Sequence, residues 1–116
     1  DEISRYLMHR NTIPNASAVL FRKAAYDKVN KVFTKMKLCG DWYLWVCLLK
    51  LGNIAYCSEP LNYFRTHAAT TRNIDSKIKQ RLRLEEEYTI ARMLEASTFI
   101  NKDYLKARVN EILKYY

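Results

Sequence analysis

The run Trp42–Leu49, "WYLWVCLL", carries no charged side chain over two helical turns, and Gly40-Asp41 stands at its head. Eight apolar residues are too few to cross roughly 30 Å of hydrocarbon. They are also apolar on every side, and a helix without a polar face belongs inside a core. The spacing therefore predicts a buried helix over Trp42–Leu51. Asp41 is expected as its N-cap, its carboxylate taking up free amides of the first turn, and Gly52 as its left-handed stop. A lone acid at the mouth of a buried helix leaves two possibilities: it starts the helix, or the helix aims it at a substrate.

The remaining segments bound the fold class. Only two glycines and two prolines occur in 116 residues, which argues against a many-turned β-sandwich. A hydrophobic content of 49% argues against disorder. A short helix is expected over residues 2–10, broken before Pro14 because the residue preceding proline is driven out of the helical region. Ser17–Phe21 reads as a short buried strand, and Arg22–Val29 as a helix. Residues 30–39 read as a basic loop with one helical turn, and Asn53–Cys57 and Leu61–Phe64 as a second and third strand. Past His67 the texture turns small and polar ("AATTRN"). A long helix with a charged middle (Ile74–Ala96) and an amphipathic one (Ile100–Tyr116) then follow. The expected class is α/β, mostly helical with two or three short strands. Its units are residues 1–71 and a helical tail, 72–116, read as packing or membrane-facing structure.

Twenty basic against twelve acidic residues give a net charge of +8, densest from Arg22 to Lys37, where Asp27 is the only acid. Such a surface suits nucleic acid, anionic lipid or phosphorylated ligands. Cys39, Cys47 and Cys57 are odd in number and form no C-x-x-C pair, so neither a zinc site nor a disulfide framework is indicated. A reducing, cytoplasmic compartment is the simplest expectation.

Motifs for other chemistries are missing. There is no G-x-S-x-G elbow, H-E-x-x-H, P-loop or G-x-G-x-x-G. A hydrolase using two carboxylates finds only Asp41 in an informative setting, since Glu59 belongs to the turn before Pro60. One base suffices where the leaving group needs no acid, as in sugar transfer from a nucleotide diphosphate. There the base removes only the proton of the acceptor hydroxyl, and cations stabilise the departing phosphate.

The order "NASAVLFRK", a basic spacer, "GDWYLW", an apolar helix ended by glycine, and "IAYCSEPLNYFRTH" resembles the C-terminal half of bacterial family 2 glycosyltransferases of the GT-A fold. The resemblance covers residues 11–71. It implies the C-terminal half of a GT-A-like domain plus a helical tail. In that family the acid heading the apolar helix is the proposed catalytic base, usually the second member of a Glu-Asp pair. That role maps to Asp41, preceded here by Gly40. The resemblance further places Ala16, Ser17 and Ala18 beside the donor sugar, and Arg65 and His67 near the nucleotide diphosphate. Trp42 is expected to line the acceptor site, where an aromatic face stacks on a sugar. A Gly-Gly-Phe stretch common in the family is replaced by Val29–Phe33. The resemblance also implies a divalent metal (Mg²⁺ or Mn²⁺) in the full-length enzyme, held in the family by an Asp-x-Asp element; none occurs here, so its ligands are expected mainly outside this chain. The chain alone is then expected to be inactive.

Two functions from different classes follow. One is the C-terminal fragment of an inverting glycosyltransferase, moving a sugar from a nucleotide-diphosphate sugar to a hydroxyl of a polysaccharide or lipid-linked saccharide. It would work in the cytoplasm or at the cytoplasmic face of an anionic membrane, without nucleic acid. The other is a basic helical module for nucleic acid or a partner protein, which leaves "GDWYLW" and Arg65-Thr66-His67 as coincidence.

Overall fold

A computed structural model describes residues 6, 7, 9–63, 76–95 and 102–114 of the chain. Four α-helices are labelled here in chain order: α1 (Lys23–Tyr26), α2 (Gly40–Leu49), α3 (Lys77–Glu95) and α4 (Lys102–Leu113). Two 3₁₀ turns, Ala16–Ala18 and Lys31–Lys35, precede α1 and α2 respectively. Among the described residues no helix is long and apolar enough to cross a membrane.

Helix α2 sits where its composition requires. Trp42, Tyr43, Leu44, Trp45 and Val46 are consecutive and all buried, so the helix is covered around its whole circumference. Its neighbours in the core are its own N-cap residue Cys39 and side chains from distant parts of the chain, Leu7 and Val29 before it and Ile90 and Leu94 after it. The N-terminal segment is tied in by a hydrogen bond, the Trp42 indole Nε1 donating to the Leu7 carbonyl at 2.6 Å. Helix α3 contributes a stripe at helical spacing, with Glu86, Glu87, Ile90, Ala91 and Leu94 buried. Helix α4 packs on α3. Along α3 run two i,i+4 pairs, Arg81–Glu85 at 2.9 Å on the exposed side and Arg83–Glu87 at 2.8 Å, in which an exposed arginine reaches the buried Glu87.

The expected α/β class does not hold. No strand is present among the described residues, so the anticipated half of a GT-A-like domain lacks its sheet, and the described fold is helical. The reason differs by segment. At Ser17 the Asn15 side chain intervenes: its Oδ1 accepts from the Ser17 amide at 3.0 Å and from the Ser17 hydroxyl at 2.7 Å. An Asx-type contact of this kind competes with ladder formation and bends the chain into a turn. Residues 53–63 run mostly exposed and without regular structure, and Tyr63 is 97% exposed. A strand is stable only when a neighbour takes up its amides and carbonyls, whereas a helix satisfies its own. Phe64, the end of the third expected strand, lies outside the described residues.

Both ends of α2 also differ from expectation. The helix begins at Gly40 with Cys39 as its N-cap, and Asp41 lies inside the first turn. At the other end Lys50 is the C-cap in right-handed geometry, and Gly52 does not adopt the left-handed conformation. Gly40 is instead the glycine with a steric role. A Cβ there would stand 2.7 Å from the Phe33 carbonyl oxygen, so the 3₁₀ turn Lys31–Lys35 closes on α2 only over a bare Cα. Because the obstacle is backbone, Gly40→Ala should lower unfolding free energy by about 1–3 kcal/mol, measured by urea denaturation. Wild-type stability would show that the turn gives way without cost.

Candidate functional site: the mouth of helix α2

The first turn of α2 is organised from another part of the chain. Glu86, on α3 and 8% exposed, directs both carboxylate oxygens at the backbone that leads into α2. Oε1 accepts from the Lys37 amide at 2.7 Å; Oε2 accepts from the Leu38 amide at 2.9 Å and from the Cys39 amide at 2.7 Å. Three successive amides thus converge on one anion at the positive end of a buried helix, an arrangement favoured by the free donors and the dipole together. The N-cap residue itself makes no side-chain capping bond. Glu86 holds the segment in its place.

Asp41 follows directly on this fixed segment. It is half-buried, and its Oδ1 accepts from the Trp42 amide at 2.7 Å. One of its oxygens is therefore engaged locally. Gly40 leaves no room for the acid that the glycosyltransferase resemblance would place at position 40, for the steric reason above.

The other expected site residues fall elsewhere. Trp42 is 2% exposed with its indole nitrogen bonded to Leu7, so its ring fills the core and does not offer a face to a sugar. Ala16 and Ser17 lie exposed in the first 3₁₀ turn, with the Ser17 hydroxyl taken by Asn15. Arg65 and His67 lie outside the described residues. Among the described residues no three His, Cys, Asp or Glu side chains group as a metal site.

Glu86 was not legible as a site residue. "LEEEY" looks like a solvated charge run, yet Glu86 is spaced four and eight residues before Ile90 and Leu94, on the stripe that α3 buries. That register was the available signal. Beside it, Cys39 is buried, and loss of solvent pushes its thiol up to about 12, with Glu87 and then Glu86 adding to the shift. Comparison with known proteins finds no matching family model, no matching curated protein and no matching solved structure.

Two outcomes check this geometry. Glu86→Ala should cost about 3 kcal/mol or more, because a hydrogen bond to a charged group contributes ~1.5–3 kcal/mol and part-buried donors are left unmet. Glu86→Gln, which keeps an acceptor oxygen, should lose roughly half as much. Urea denaturation with amide hydrogen exchange at Lys37, Leu38 and Cys39 tests this, and unchanged protection in Glu86→Ala would refute the anchor. In the folded chain at mildly alkaline pH, iodoacetamide should modify the exposed Cys57 and spare the protonated, buried Cys39. Peptide mass spectrometry reads the result, and equal labelling would contradict the burial.

Proposed function

We propose that this chain is the C-terminal portion of an inverting glycosyltransferase related to family 2, with Asp41 as its catalytic base. The observation that carries the reading is the placement of Asp41: a half-buried acid in the first turn of a buried helix, just after a backbone segment anchored on Glu86. The motif order "NASAVLFRK", "GDWYLW" and "IAYCSEPLNYFRTH" supports the same reading.

In the reaction the acceptor hydroxyl oxygen attacks the anomeric carbon of the donor from the face opposite the phosphate. The new oxygen–carbon bond forms as the carbon–oxygen bond to the nucleotide diphosphate breaks, and the diphosphate departs with that electron pair. The hydroxyl proton passes to the Asp41 carboxylate, and configuration inverts. Arg65 and His67 supply cationic and hydrogen-bonding groups to the diphosphate, where each charge-assisted bond contributes about 1.5–3 kcal/mol. Acceptors are saccharides or lipid-linked saccharides, and the setting is the cytoplasm or the cytoplasmic face of a membrane. The chain by itself carries no transfer activity, because it lacks the family's Asp-x-Asp element.

Asp41→Asn keeps the size of the side chain and the oxygen that accepts from the Trp42 amide, but it does not accept a proton. In the full-length enzyme this change should lower turnover by roughly 10²–10⁴. Melting temperature and affinity for the nucleotide diphosphate should stay near wild type. A fully active, correctly folded Asp41→Asn enzyme would reduce Asp41 to a helix-start residue and remove the basis of the proposal.

A further inference from the structure

The segment from Leu20 to Lys37 forms an aromatic and cationic surface that the sugar-transfer reading does not use. Its rings are contiguous. Phe21 stacks on Tyr26 with centroids 5.6 Å apart and meets Trp45 at 5.9 Å, and Phe33 meets Tyr26 edge-on at 5.9 Å. Lys31 lies over the Tyr26 ring, its Nζ 3.3 Å from the centroid, and donates to the Tyr26 carbonyl at 2.6 Å. Phe21, Tyr26, Lys31 and Phe33 are therefore one patch. At its rim Leu20 is 100% exposed and Phe21 is 45% exposed. Two adjacent apolar side chains thus stand in water beside a cluster of positive charge.

The charges of this patch are largely uncompensated. Lys23 pairs with Asp27 at 2.8 Å, and Asp27 is the only acid from Leu20 to Lys37. Arg22, Lys28, Lys35 and Lys37 are exposed, and no ion pair among the described residues engages them. Five of the six cations are lysines, compact point charges suited to a diffuse anionic field, whereas fixed bidentate phosphate recognition favours arginine. An exposed leucine contributes nothing to a nucleic-acid backbone. At a bilayer surface it enters the headgroup boundary while neighbouring lysines face anionic lipid, so that two weak attractions act together.

We propose that the Leu20–Lys37 surface docks this chain peripherally on an anionic phospholipid bilayer, with Leu20 and Phe21 entering the headgroup layer and Arg22, Lys28, Lys31 and Lys35 facing the lipid phosphates and carboxylates. The proposal is independent of the sugar-transfer reading, because it involves neither Asp41 nor Glu86.

Vesicle co-sedimentation of the 116-residue chain tests it. Phosphatidylcholine vesicles are compared with phosphatidylcholine–phosphatidylserine vesicles at low and physiological salt, and a duplex DNA serves as a bare polyanion. The expected result is binding to the phosphatidylserine vesicles that weakens with salt, with little binding to phosphatidylcholine alone. Leu20→Ser should weaken it several-fold. The double change Lys28→Glu with Lys35→Glu should weaken it by at least about tenfold. A charge-matched control, Lys106→Glu on α4 with Lys114→Glu just past its end, should weaken it clearly less, since only the patch touches lipid. All these side chains are exposed, and circular dichroism confirms that each variant keeps its helices. The proposal is overturned by absence of vesicle binding, by equal loss in both charge-reversal pairs, or by Leu20→Ser binding like wild type. It is equally overturned by DNA binding tighter than vesicle binding, which would mark the patch as a nucleic-acid surface.

Discussion

The contact between the Glu86 carboxylate and the amides of Lys37, Leu38 and Cys39 is the constraint from which the local structure follows. Those amides belong to a segment with no regular structure of its own. Without an acceptor they would be left part-buried and unpaired, which is costly in a low-dielectric setting. With Glu86 in place, the segment is pinned at the N-cap of α2, and the direction of the helix is set by an element more than forty residues away. A buried carboxylate is itself expensive unless its oxygens are satisfied. Three donors make this one tolerable, and truncating either side of the contact leaves the other exposed to that cost.

Around this anchor the core is built from unlike parts. Each buried side chain of the size of Val46, Leu44, Ile90 or Leu94 contributes about 1.5–3 kcal/mol relative to exposure, and these four come from α2 and α3 alone. The α3 stripe therefore does two things at once. Its apolar members seal α2, and Glu86, one turn earlier on the same stripe, organises the start of α2. The segment that looks like a charged tail is joined to the part that carries Asp41 through a shared core.

Polar satisfaction is uneven across that core. The Trp42 indole finds the Leu7 carbonyl at 2.6 Å, while the Trp45 indole nitrogen is buried without a partner. Trp45 instead packs its ring against Phe21, at the edge of the exposed cationic patch. The two tryptophans of one helix thus separate in role: one tethers the N-terminal segment, and the other lies under the surface where apolar side chains meet water.

Much of the helical content was legible from the chain itself. The eight-residue apolar run required a buried helix, because no exposed helix tolerates an apolar circumference, and the spacing after residue 74 required long helices because 3.6-residue periodicity is a local property. Neither the strands nor the partner of the α2 mouth could be settled this way. Val19, Ile54 and Leu61 have the composition of strand residues, but a strand exists only when another segment takes up its backbone groups, and that pairing is non-local. Asn15, a single side chain, was enough to turn Ser17 out of an extended path. The roles of Glu86 and Gly40 likewise appear only in three dimensions. The sequence alone determined that Asp41 would stand at the head of a buried helix. The tertiary structure decided that Glu86 would hold that head in place, since only folding brings an acid at position 86 against the amides of residues 37 to 39.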